Sequence, residues 1–167
     1  MSRLFIKQKV FSWRDRFTVK NELDVDCYTV EGEFSFGKKL HIYDITGDEV
    51  AFIQQKVMSW KPRFYVFVRG IQTAEIVKEF TLFHPRYTIN GLDWECTGNV
   101  TGHDYEIVRA GEAIVRVHKV WLSWGDSYEL EIFDNRNEAL ALAVVLAIDA
   151  VLDMQEAAAA SSSSSSN

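Results

Sequence analysis

The chain has few cysteines, little positive charge, and no apolar run long enough to cross a bilayer. Each lack excludes something. Cys27 and Cys96 are isolated thiols without metal or redox spacing, so neither a disulfide framework nor CxxC chemistry organises the fold. The expectation is a reduced, cytoplasmic protein with both thiols buried. Residues 1–10 carry Arg3, Lys7 and Lys9 and no long apolar run, which does not read as a secretory signal. The longest apolar run, residues 139–148, spans ten positions, whereas a membrane helix needs about 20. Lys and Arg number 18 against 24 Asp and Glu, a net charge of −6, which argues against generic nucleic-acid binding. Before residue 137 no helix-period segment of length appears, apart from a candidate helical turn near residues 71–77.

What is present begins at the C-terminal end. In residues 137–155, NEALALAVVLAIDAVLDMQ, the ten-residue run is entirely Ala, Leu, Val and Ile. Such a composition favours helix. A helix apolar on every side must be surrounded rather than laid on a core. Polar residues return at Asp149, Asp153 and Glu156, on one helical face, so the last turns are expected to emerge with one wet side. One domain is expected for 167 residues, ending near residue 156. The tail 157–167, AAAASSSSSSN, is low-complexity and reads as disordered.

The enclosure must come from residues 4–134, which read as short strands. Val, Ile, Phe, Tyr and Thr recur with period two between glycine, asparagine and aspartate turn signals. Residues 128–132 alternate apolar and acidic, a strand with one wet face; residues 64–68 are apolar throughout and read as covered on both faces. The chain also repeats itself. Lys9-Val-Phe-Ser-Trp13 recurs as Lys56-Val-Met-Ser-Trp60 and, one residue longer, as Lys119-Val-Trp-Leu-Ser-Trp124. Repeated hairpins close most easily into a barrel, which leaves no exposed edge. The fold expected is mainly β: a closed antiparallel barrel of about twelve strands enclosing the hydrophobic C-terminal helix, since a barrel of that size holds more than its own side chains.

This order of motifs resembles the LURP-one-related family, within the tubby C-terminal-like superfamily. The residues that carry the resemblance are Tyr43-Asp-Ile-Thr-Gly47-Asp-Glu-Val50, the Lys-x-x-Ser-Trp units, Leu92-Asp-Trp94-Glu-Cys-Thr-Gly98-Asn99 running on to Asp104-Tyr105-Glu-Ile107, and the apolar final helix. The resemblance covers roughly residues 3–155 and implies a twelve-stranded barrel around a central hydrophobic helix. The superfamily includes phosphoinositide-binding tubby proteins and phospholipid scramblases, so an anionic phospholipid headgroup is the implied candidate ligand. No position here matches the phosphoinositide-binding residues of tubby, and none is carried over.

No reaction is legible. His41, His84, His103 and His118 are scattered without helical i,i+4 pairing or cysteine partners, so no metal or other cofactor is expected. His41 and His118 lie in strand patterns and read as hydrogen-bonded structural residues. A hairpin through Gly98 and Gly102 could bring His103 to Cys96, as a nucleophile and base need; a buried thiol and a turn histidine are the simpler reading. Gly98-Asn-Val-Thr-Gly102 lacks the Gly-Lys-Ser/Thr of a P-loop and reads as a turn.

The basic-aromatic corners are the remaining candidates. Trp13 with Arg14 and Arg16, and Trp60 with Lys61 and Arg63, set an indole beside two cations. The charge is segregated there: residues 1–20 hold six Lys and Arg against Asp15, and residues 50–74 hold Lys56, Lys61, Arg63 and Arg69 with no acid. Such turns suit an anionic headgroup at a membrane interface. The third corner, Trp124 with Gly125 and Asp126, keeps the tryptophan without the cations. That favours a simpler reading in which the tryptophans are core plugs on the helix end and the basic turns are merely solvated. The function expected is a non-enzymatic cytoplasmic binding or scaffold module, peripheral at an anionic membrane surface. The alternatives are a protein-interaction module, or an enzyme or small-molecule carrier that uses the barrel interior.

Overall fold

The computed structural model describes residues 1–7, 16–79, 86–122 and 125–163. Twelve strands follow one another: β1 (Ser2–Lys7), β2 (Arg16–Asn21), β3 (Asp26–Ser35), β4 (Gly37–Asp44), β5 (Glu49–Gln55), β6 (Arg63–Val68), β7 (Ile71–Glu79), β8 (Arg86–Asn90), β9 (Trp94–Asn99), β10 (Asp104–Arg109), β11 (Glu112–Leu122) and β12 (Gly125–Ile132). Each pairs with its sequence neighbours, and β1 pairs with β12, so the sheet closes into a barrel. A 3-10 turn, Asn135–Asn137, leads into α1, Glu138–Ser163.

Alternation along each strand decides which side chains enter the barrel. Leu40 and Ile42 on β4, Ile53 on β5, and Phe64 and Val66 on β6 are buried against the helix. Every residue from 140 to 152 of α1 is buried, on all sides. Alanines at 141, 143, 147 and 150 keep the helix slim enough for the space, while Leu142, Val145 and Leu146 reach the wall. The enclosed helix and the about-twelve-strand barrel read from the sequence are thus the observed architecture.

Several details differ from the sequence reading. Residues 71–77 lie in β7, not in a helical turn, because Val77, Ile76 and Ala74 pair with Arg63, Phe64 and Val66 across the sheet. β6 has one buried face, not two. Tyr65 and Phe67 point outward, and Phe67 is covered by its neighbour Phe52 at 5.7 Å between ring centroids rather than by a second layer. Asp149, expected on a wet face, is buried, because the wall supplies it with polar partners. Cys27 and Cys96 are free and half-buried. Finally, α1 runs past residue 156 to Ser163, where the sequence reading expects a disordered tail; residues 157–161 are exposed on it. Alanine has the highest helix propensity, and extending an existing helix needs no new nucleus.

The barrel has two different ends. At the base, where the helix enters, Tyr28 of β3 donates its hydroxyl hydrogen to Glu138 Oε1 at 2.7 Å. At the rim, where the helix leaves, lie the connections β3–β4, β5–β6 and β9–β10.

Candidate functional site at the rim

The β5–β6 loop, residues 56–62, is anchored at both ends. The Lys56 N–H donates to Arg63 O at 2.9 Å, and the Lys78 N–H donates to Pro62 O at 3.1 Å. Between these anchors Met58 adopts a positive φ of 57° and turns the tip outward. The β3–β4 turn lies against the same loop. Gly37 has φ +100°, and a Cβ there would sit 2.7 Å from Val57 Cγ1, so only glycine fits that approach. The result is two abutting loops with bare apolar tips: Trp60 is 97% exposed, Met58 96% and Phe36 78%.

Trp60 therefore corrects the core-plug reading at its corner: the indole stands in solvent. Trp13, Arg14, Trp124 and His84 lie outside the described residues. The remaining candidates are placed but not gathered. Lys61 and Arg63 flank the start of β6, whereas Arg16 opens β2, four strands further round the wall. Each cation already has a carboxylate. Lys61 donates to Glu79 Oε2, Arg63 Nη1 donates to Glu75 Oε1 at 2.9 Å, and Arg16 Nε lies 3.3 Å from Glu31 Oε1. Burial raises the Glu75 carboxyl, but hydrogen bonds from Asn90 and Arg63 outweigh it and leave the group below its ordinary value. Lys38, beside the β3–β4 turn, has its pKa lowered by burial, with Asp153 of α1 acting the other way. Phe36 and Met58 were not singled out from the sequence. The signal was available: Met58 sits inside the Lys-x-x-Ser-Trp unit, and Phe36 precedes a turn glycine.

Just inside the rim is a polar group of a different kind. The Tyr128 hydroxyl donates to Asp149 Oδ2, and His103 Nε2 lies 3.5 Å from Asp149 Oδ1. The His103 ring stacks on Tyr128 at 4.7 Å, and its backbone is left-handed at φ 51°. Burial, then the Asp149 charge, hold the Tyr128 and Tyr105 hydroxyls well above their ordinary pKa. Cys96 stands in β9 opposite Ile107, and burial pushes its thiol up to about 12. A thiol so protonated at neutral pH is a poor nucleophile, and His103 Nε2 faces the Asp149 carboxylate. Elsewhere the expected structural histidines hold: His41 Nδ1 lies 2.6 Å from Glu49 Oε2, and His118 Nε2 lies 3.1 Å from Glu129 Oε2.

An open groove of about 600 Å³ runs along the outer wall over β2, β3 and β4, past Arg16, Glu31, Tyr43 and Cys27. Among the described residues no helix is long and apolar enough to cross a membrane, and no three His, Cys, Asp or Glu side chains are grouped to hold a metal.

A family model described as LURP-one-related matches residues 2–149. The chain belongs to the LURP-one-related family. It is 35% identical over 153 residues to the uncharacterized protein YxjI of Bacillus subtilis (strain 168), covering 91% of this chain and 94% of that one. It is also similar to the X-ray structure of a protein from Arabidopsis thaliana, with a TM-score of 0.65 over 90% of each chain at 13% identity, a likeness that bears on the fold alone. In this LURP-one-related barrel α1 fills the interior, which leaves the loops at the two ends and the outer wall as the accessible surfaces.

Proposed function

We propose that the protein is a non-enzymatic, cytoplasmic binding module that docks peripherally on a phospholipid surface through the rim. The observation that carries this reading is the full exposure of Trp60 beside Met58, on a loop whose ends are pinned. Tryptophan prefers the headgroup level of a bilayer, where its apolar body and its N–H are both accommodated. Charge favours the rim over the base. The base also exposes aliphatic residues, but Leu23 and Ile45 sit among Glu22, Asp24, Asp26, Asp44 and Asp48, which an anionic membrane repels. Anionic headgroups, which the superfamily resemblance suggests as ligands, find Lys56 exposed at the rim beside Lys61 and Arg63. The filled interior supports a binding role over an enzyme or carrier that uses the barrel lumen.

Co-sedimentation with mixed phosphatidylcholine and phosphatidylserine vesicles tests the reading. The protein is expected in the pellet, and the Trp60→Ala variant in the supernatant. Recovery of the wild-type chain in the supernatant at low salt removes the lipid reading. The protein-interaction reading then leads, with the groove over β2, β3 and β4 as its surface.

A further inference from the structure

Peripheral proteins that read headgroup charge present cations free to meet phosphates. Among the described residues, most of the rim's cations are already matched. Lys61 is engaged by Glu79, Arg63 by Glu75 and Lys39 by Glu33, the last at 2.8 Å. Lys38 is half-buried, and Lys56 lies over the Tyr65 ring at 5.8 Å. A cation matched by its own carboxylate projects little field beyond a Debye length. The apolar tips have the opposite character, since Phe36, Met58 and Trp60 stand clear of the wall.

We propose that the rim selects membranes by loose lipid packing, as in highly curved bilayers, rather than by headgroup charge. The inference rests on the membrane reading above and specifies what that site recognises. Phe36 and Trp60 at about 150–250 Å² each present roughly 300–500 Å², and the smaller Met58 leaves the patch short of the about 800 Å² per partner that a stable protein interface needs. A second copy of the chain or a folded partner is therefore a poor occupant. Separate tips on two loops fit voids between headgroups, and interfacial binding that leans on apolar area rather than charge is sensitive to curvature. The pairing of charge among the described rim residues leaves neutral lipids as acceptable as anionic ones.

The experiment uses the full chain and vesicle flotation. Small sonicated and large extruded vesicles of phosphatidylcholine are compared with the same two sizes containing phosphatidylserine, each at low and high salt. Several-fold more binding to small than to large vesicles, in both lipids and at both salts, is the expected result. Trp60→Ala and Met58→Ser should each lose that binding with melting unchanged. Binding that follows phosphatidylserine and vanishes in high salt overturns selection by packing and leaves membrane docking standing. Binding indifferent to vesicle size does the same. No binding to any vesicle overturns both.

Discussion

Tyr128 and Asp149 face each other inside the barrel, the phenol on β12 donating to a carboxylate on the enclosed helix α1. A buried carboxylate without a donor is costly, whereas an apolar pair in its place is nearly neutral. Tyr128→Phe alone should therefore lower stability by about 1–3 kcal/mol, and Tyr128→Phe with Asp149→Leu should recover most of it. Denaturant unfolding of the two single variants and the double variant measures the coupling. Additive losses would show that the pair does not interact.

The helix gives a sharper contrast. Leu142, Val145 and Leu146 point in different directions from α1, yet all three are fully buried. Aspartate at any of them should cost several kcal/mol, comparable with a whole domain's about 5–15 kcal/mol. Aspartate at Ala157, exposed beyond the barrel, should leave the melting temperature unchanged. Soluble, cooperatively melting Leu146→Asp protein would contradict an enclosed helix.

The rim cations separate by burial. Arg63 and Glu75 are mostly covered, with side chains 28% and 17% exposed. Arg63→Glu places like charges together there and should cost about 1–3 kcal/mol. Arg16→Glu, in an exposed pair, and Trp60→Ala should each change stability by less than about 0.5 kcal/mol. Thermal melts of the three variants rank them. Equal losses for all three would mean that the loop tip is packed in solution.

Acid should weaken the fold in a defined window. The Lys39 ammonium, then Ser35 and His41, hold Glu33 at about 2 against an ordinary 4.5. Thr46 likewise lowers Asp44, and Arg136 lowers Asp134. Depressed folded-state values stabilise fully above the ordinary carboxylate pKa, and that stabilisation fades as pH falls through the folded value. Urea midpoints should therefore be flat near neutrality and fall between pH 4.5 and about 2. Glu33→Gln should flatten part of that slope, and an unchanged slope would discount the Lys39 contact.

The fold was legible because period-two strands, glycine turns and one all-round apolar helix each have a single packing solution, and these solutions agree. The rim was legible only in part. Lys-x-x-Ser-Trp marked the loop, but whether Trp60 points in or out depends on the positive φ of Met58 and on Val57 against Gly37, contacts between segments distant in sequence. The same limit applies to Asp149. Helical spacing placed it with Asp153 on a polar stripe, while its actual surroundings come from Tyr128 and a β9–β10 turn far away in the chain.

The strand pairings are unequal around the barrel. Among the described residues, β1 joins β12 at six positions but β2 only at Leu4–Asn21 and Phe5–Lys20, and β8 meets β9 at the single pair Thr88–Glu95. The wall is thus two curved shells, β2 to β8 and β9 to β12 with β1, stitched along two thin seams. Few pairings among the described residues cross those seams, and both shells pack on the same axle, α1. Slow breathing of the molecule should run along those seams, with amide exchange fastest there among the paired strands.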